Sequence, residues 1–183
     1  MIEPEIVAWE SIGSAKIADC RVFRVRRDIS VDPRNHSQHH FYVIEAPDWI
    51  NVIPVTTDNQ VVLIEQYRHG TNEVTLEIPG GMVDEGESAE SAASRELLEE
   101  TGYSTNRIQL LGRTRPNPAL QNNWLHSFVA WNCEFSQIAK PDSSEQIGVR
   151  LVPLREISAL IMSGSIDHAL VVASFYLFEQ SHS

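Results

Sequence analysis

The segment GMVDEGESAESAASRELLEETGY, residues 81–103, holds seven carboxylates and a single basic residue, Arg95. Carboxylates crowded on one short element repel unless something of opposite charge sits among them. Glu96, Glu99 and Glu100 stand three and four residues apart. On a helix, this spacing stacks Glu100 one turn above Glu96, with Glu99 beside them. The repulsion costs roughly 0.2–0.5 kcal/mol per solvated pair, and more when the pair is partly buried. A hard divalent cation turns that cost into a binding contribution. Mg²⁺ prefers oxygen ligands and keeps waters that can be activated or shared with phosphate oxygens. Arg95, four residues before Glu99, can pair with it, orient it and moderate the repulsion. Helix composition alone also describes a merely solvated charged face. The flanks add specificity: Gly80 and Gly81 come just before the acidic run and Gly86 lies within it. Glycine permits tight turns and close backbone approach, so the loop can fold back and set the Gly80 carbonyl and Glu87 toward the helix carboxylates.

These carboxylates need a helix to carry them and a sheet to hold the helix. The helix is expected over Ala89–Thr101, with Ser88 capping its first turn and Gly102 ending it in a left-handed conformation. Ala89, Ala93 and Leu97 form a face of small and apolar residues that can lie close on a sheet. Strands are expected over residues 17–29 and 39–45. Two more, INVIPVT and QVVLIEQYR, read as a hairpin of buried strands around Thr57, Asp58 and Asn59. A short strand over 75–78 stops at Pro79. Further strands are IQLLGRT, LHSFVAWNC and VRLVPL. Two helices, LREISALIMSG and DHALVVASFYLFEQ, complete the chain. Many strands, one helix, more strands and two terminal helices suggest an α/β chain whose mixed sheet carries helices on both faces.

Bulk properties narrow the function. The 183 residues suit one ordinary core. A net charge of −11 argues against loose binding to a nucleic acid backbone, while a small phosphorylated ligand bridged by metal remains compatible. The longest apolar run, ALVVASFYLF, is too short to span a membrane, and the acidic N-terminus does not read as a secretory signal. Cys20 and Cys133 form no framework and are expected to be buried free thiols, consistent with a reducing cytoplasm.

The acidic segment resembles the box of the Nudix hydrolases. In that box a glycine, five residues, a glutamate and seven residues precede Arg-Glu, an apolar residue, any residue, Glu-Glu, any residue, glycine and a large apolar residue. Gly81, Glu87, Arg95, Glu96, Leu97, Glu99, Glu100, Gly102 and Tyr103 fill these positions, with Tyr103 as the large last residue. The resemblance implies a Nudix fold, a mixed curved β-sheet sandwiched between helices (α/β/α). It implies hydrolysis of a nucleoside diphosphate linked to another group, with Mg²⁺ or Mn²⁺ as cofactor. By the same resemblance Glu96 and Glu100 are the central metal ligands. Glu99 is a third ligand or assists one, and the Gly80 carbonyl joins the site. Glu87 supports the loop and Arg95 orients its neighbours.

The stretches IEQYRHG and TLEIPGGMVDEGE and the tail VPLREISALIMSGSIDHALVVASFYLF resemble the ADP-ribose and nucleoside diphosphate-sugar pyrophosphatase branch. The likeness covers roughly residues 49–178. It implies an N-terminal β extension over 1–48 that packs on a second subunit of a homodimer, and a catalytic domain over 49–183. Arg68 would grip substrate phosphate, for which its planar fork is suited; the alternative is a surface arginine paired with Glu65 or Glu73. Glu77 would bind metal or substrate, or support by hydrogen bonds. Glu145, in the acidic loop past the box, would be the base or a late metal ligand. Phe23 could stack on the nucleoside and Arg24, Arg26 or Arg27 could meet phosphate or the partner. Trp9 and Trp49 are further stacking candidates. Asn117, Asn122 and Asn123 could bind sugar or base, or simply make turns. Pro116 and Pro118 stand where that branch carries a proline before a glycine, but no glycine follows, which favours a broader nucleotide-sugar hydrolase. A hydrolase of nucleoside triphosphates or dinucleotides is the alternative enzyme, and a non-catalytic nucleotide-sugar sensor the alternative of another class. His36, His39, His40, His126 and His168 are read as structural.

Overall fold

The structure is a computed structural model that describes residues 6–141 and 146–181. Contacts divide the chain into two compact units.

The first unit contains residues up to Pro47 together with residues 115–123. Its strands β1 (Glu10–Asp19), β2 (Arg24–Val31) and β3 (Gln38–Glu45) form an antiparallel sheet in that order. The single strand expected over residues 17–29 is therefore two strands. The chain reverses between Asp19 and Arg24, where Arg21 takes a positive φ of 66° and the Cys20 N–H donates to the Phe23 carbonyl at 2.9 Å. No glycine, asparagine or proline announces this turn. Cys20 sits on it, exposed rather than buried as expected. Residues 115–123 attach along β3: the Ile44 N–H donates to the Leu120 carbonyl at 2.7 Å, and Ile44 bridges Gln121. An edge strand covered this way presents fewer free backbone groups.

The second unit is built on a mixed sheet. Its strands are β4 (Trp49–Thr56), β5 (Gln60–Arg68), β6 (Glu73–Glu77), β7 (Gly80–Met82), β8 (Tyr103–Ser104), β9 (Ile108–Thr114), β10 (Leu125–Phe135) and β11 (Ile147–Pro153). The main order is β11-β5-β4-β10-β8, with β6 on β5, β7 on β4 and β9 on β10. The turn expected between β4 and β5 is present, with Asn59 at φ 56°. However, the two strands share only the pair Val55 and Val61 before diverging. β4 runs parallel to β10 instead.

Alternation along β4 and β10 separates two cores. Ile50, Val52, Phe128 and Ala130 face helix α1 (Ala89–Thr101) and pack with Ala92, Ala93 and Leu97. Ile53, Val55 and Val129 pack on the other face with Val171, Phe175 and Phe178 of α3 (Ala169–Gln180). Ile157 of the short α2 (Ile157–Met162) joins that second core. Side chains alternate faces along a strand, and the register pairs Val52 with Phe128 and Ile53 with Val129, so each layer is continuous. The α/β architecture with helices on both faces is as expected. α1 has the expected bounds: the Ser88 hydroxyl accepts the Ser91 N–H at 3.1 Å, and Gly102 closes the helix at φ 76°. A Cβ on Gly102 would also meet the Gln137 carbonyl.

Cys133 is buried on the α1 side, and burial pushes its thiol up to about 12, which makes it inert. No helix among the described residues is long and apolar enough to cross a membrane.

Candidate active site

A cavity of about 560 Å³ opens in the second unit. β4 supplies Trp49, Ile50 and Asn51, and β7 supplies Gly80, Gly81 and Met82. α1 lends Arg95, Glu96, Glu99 and Glu100; Arg68, Glu77, Asp84 and His168 complete the charged and titratable lining. Residues proposed from sequence thus meet here: Arg68, Glu77, Gly80, Arg95, Glu96, Glu99 and Glu100, together with the stacking candidate Trp49.

Their arrangement follows from α1 lying against β7. Glu100 is buried, and one of its oxygens accepts the Gly80 N–H at 3.0 Å. The sequence directed attention to the Gly80 carbonyl, whereas this contact uses the amide. Gly81 lets the helix come close, because a Cβ there would collide with the Glu96 carboxylate. Arg95 is the hub of the acidic face. It donates to both oxygens of Glu87 at 3.0 Å, to Glu96 at 2.8 Å, to Glu99 at 3.2 Å and to the Met82 carbonyl at 3.1 Å. One guanidinium therefore fastens the loop to the helix and offsets the repulsion between carboxylates. Its hydrogen bond to Glu87 heads the causes that raise its own pKa, and in return Arg95 holds the Glu87 carboxyl below the usual range.

Arg68 and Glu77 form a second pair. The guanidinium donates to both carboxylate oxygens at 2.7 and 2.8 Å, and the Thr75 hydroxyl adds a bond at 2.6 Å. Burial pushes the Glu77 carboxyl up, but the bonds from Arg68 and Thr75 outweigh it and leave the pKa lowered. Neither Glu65 nor Glu73, the partners weighed from sequence, is the one that grips Arg68 here. Glu65 lies 3.5 Å from Arg150.

Among the described residues no three His, Cys, Asp or Glu side chains stand gathered as a metal cluster. The donor chemistry nevertheless suits a hard divalent ion: three helix glutamates and a glycine backbone line one cavity, all offering oxygen. Arg95 draws Glu96 and Glu99 toward itself, so an ion would replace part of its role.

Phe23, Arg24 and Asn117 belong to the first unit. Phe23 is half-buried beside the turn, Arg24 is exposed with its guanidinium 3.3 Å from Asp19, and the Asn117 carbonyl accepts N–H groups from Leu120 and Gln121 as a turn residue does. Asn123 likewise serves structure, donating to the Pro47 carbonyl at 3.0 Å. Glu145 lies outside the described residues. His126 pairs with Asp48 at 3.0 Å, a structural role. His168 is the cavity residue that sequence reasoning set aside. It precedes α3, far from the box, and no spacing links it to the acidic segment.

Comparison with known proteins agrees with this geometry. The family model described as NUDIX domain matches residues 47–175. The chain is 31% identical over 170 residues to a methanol dehydrogenase activator of Bacillus methanolicus, covering 92% of this chain and 91% of that one. It is 26% identical over 169 residues to an ADP-ribose pyrophosphatase of Bacillus subtilis, covering 92% and 88%. A crystal structure of an ADP compounds hydrolase superposes with a TM-score of 0.85 at 22% identity, covering 97% of this chain and 95% of that one, which shows the shared fold. The chain belongs to the Nudix family and is a Nudix hydrolase.

Proposed function

We propose that this protein hydrolyses the pyrophosphate bond of nucleoside diphosphate sugars, ADP-ribose or a close analogue, in a divalent-metal-dependent reaction that releases nucleoside monophosphate and sugar phosphate. The observation that carries the reading is the convergence of Glu96, Glu99, Glu100 and the Gly80 backbone with Arg68 and Glu77 on one cavity. The names of the Bacillus subtilis relative and of the structural neighbour support the choice of substrate. When bound, Mg²⁺ or Mn²⁺ would neutralise phosphate oxygens and lower the pKa of a held water. Glu96, Glu99, Glu100 and the Gly80 carbonyl are the proposed ligands. Arg95 keeps the carboxylates aimed into the cavity. Arg68 is proposed to hold substrate phosphate while Glu77 fixes the angle of its guanidinium. Glu99, Glu100 and Glu145 are the candidates to take the proton of the attacking water. Water's oxygen then bonds to phosphorus, and the bridging oxygen departs with the other phosphate. In a homodimer, Phe23 remains proposed to stack on the nucleoside, Arg24 to meet phosphate or the partner subunit, and Asn117 to bind sugar or base.

The test is a panel of ADP-, GDP- and UDP-sugars with ADP-ribose, each with Mg²⁺ and with chelator, products resolved by ion exchange. Chelator-sensitive release of nucleoside monophosphate plus sugar phosphate is expected. Glu100→Gln should lower kcat at least about a hundredfold with the circular dichroism spectrum unchanged. No turnover of any nucleotide sugar would sink the reading. A second reading, action on a partner dehydrogenase, rests on the name of the Bacillus methanolicus relative. Stimulation of a dehydrogenase by the chain, in the absence of nucleotide-sugar turnover, would favour it.

A further inference from the structure

The cavity is lined from both faces of the sheet, and the two faces differ in chemistry. Along β5, Val61 and Leu63 pack in the α3 core. Side chains alternate along a strand, so Arg68 lies on the opposite face. Glu77 lies there too, since it pairs with Ile64. Glu96 joins them, because it occupies the space a Cβ on Gly81 would take, and Gly81 pairs with Ile50 of the α1 core. The groups proposed to hold pyrophosphate and metal therefore belong to the α1 face.

The α3 face of the same cavity is apolar and carries an aromatic ring. Asn51 donates from Nδ2 to the Ser174 hydroxyl of α3 at 3.3 Å, and Ile53 packs in the α3 core. Trp49, two residues before Asn51, shares that face. Its register partners are Met82 on β7 and Leu125 on β10, and residues directly opposite each other lie on one side of a sheet. Leu125, Trp49 and Met82 thus form a row across three strands, with Leu125 buried, Trp49 half-buried and Met82 37% exposed. Among the described residues Trp49 is the single Trp, Tyr or Phe in the lining. The thioether of Met82 is polarizable and suits contact with a ring.

The substrate divides in the same way. Its pyrophosphate is anionic and its second sugar is all hydroxyls, whereas its nucleobase is a flat, uncharged π system. Small-molecule sites are largely apolar with a few placed polar groups, and a base gains from stacking on an aromatic side chain. Spacing agrees. Met82 is two residues from Gly80 along β7, roughly 6–7 Å at a strand's rise, about the span of the ribose between phosphate and base. We infer that Trp49, flanked by Met82, is a substrate-binding residue on which the nucleobase stacks, which points the nucleoside half toward the α3 face and leaves the Arg68 end to the sugar phosphate. A base has two faces, so this contact adds to the one proposed for Phe23.

This inference rests on the nucleotide-sugar reading, and the experiment separates the two. Wild type, Trp49→Ala and Trp49→Phe are compared, with thermal melting to check that each is folded. Tryptophan fluorescence is titrated with AMP and with ribose 5-phosphate, which lacks the base, and KM is measured on ADP-ribose. AMP is expected to quench wild type, to leave both variants unquenched, and ribose 5-phosphate to quench none of them. Trp49→Ala should raise KM about tenfold, the worth of a base stacked on a ring, whereas Trp49→Phe, which keeps an aromatic face, should raise it no more than about threefold. No quenching of wild type by AMP, quenching that persists in Trp49→Ala, or an unchanged KM in that variant would each overturn the inference. So would a loss in Trp49→Phe as large as in Trp49→Ala. AMP quenching that depends on Trp49, in a wild-type protein that cleaves no nucleotide sugar, would uphold the base site and sink the hydrolytic reading alone.

Discussion

Arg68 and Glu77 illustrate how one residue pair can serve both substrate and fold. Arg68 ends β5 and Glu77 ends β6, and the antiparallel register sets Ile64 opposite Glu77 and Arg68 opposite Glu73. Side chains at 64, 66 and 68 share a face with Glu77, so the long guanidinium reaches diagonally along that face to the buried carboxylate. The Glu77 side chain is 3% exposed and that of Arg68 41%. Removing the arginine therefore strands a desolvated anion, whereas removing the anion frees a group that water can still reach. Arg68→Ala is expected to cost about 2–3 kcal/mol, less than a fully buried pair because half of it is wet. Adding Glu77→Gln should recover part of that loss, a coupling that a double-mutant cycle in urea reads directly. The single variant would also show a raised KM on nucleotide sugars. A variant as stable as wild type would mean that Glu77 finds compensation elsewhere.

Helix α1 is the element most legible from sequence, because everything that defines it is local. Ser88, the small face, the glutamate spacing and Gly102 lie within one short stretch, and each has one physical reading. The β1–β2 hairpin was illegible for the converse reason: its turn puts Arg21 at positive φ without a residue that favours it. Tertiary packing brings His168, just before α3, to the cavity, which local pattern does not encode. Gly102 tests the argument for α1. Its φ of 76° is strained for any L side chain, and a Cβ would also meet the Gln137 carbonyl. The Gln137 N–H in turn donates to the Gly102 carbonyl at 3.2 Å, so the two segments cannot simply separate. Gly102→Ala is expected to cost at least about 1–3 kcal/mol, measured by urea denaturation. Since α1 carries Glu96, Glu99 and Glu100, the same variant should lose activity at temperatures where wild type is fully active. Unchanged stability would show that the helix end can adopt another closure.

At the scale of the whole chain, strand content and helix layers were legible, but strand order was not. The parallel β4–β10 pairing joins segments separated by α1 and five intervening strands, and buried strands of this kind carry little local information about their neighbours. What both units share is dependence on carboxylates held by arginine. Asp32 in the first unit is held at about 2 by side-chain and backbone hydrogen bonds from Arg34. In the second, Arg95 holds Glu87 low, and Arg68 with Thr75 overcomes the effect of burial on Glu77. Each folded pKa lies below its unfolded counterpart near 4, so between the two values the unfolded chain binds more protons. Stability is then fully present above about pH 5 and falls as pH drops through the lowered values, with the last share lost toward about pH 2. The arginines stay charged throughout, so the carboxylates alone set the window. Urea denaturation at stepped pH should give a flat midpoint from pH 7 to 5 and a progressive decline below, and Glu77→Gln should make the decline shallower. A decline already complete by pH 6 would overturn the assignment of this window to carboxylates held by arginine.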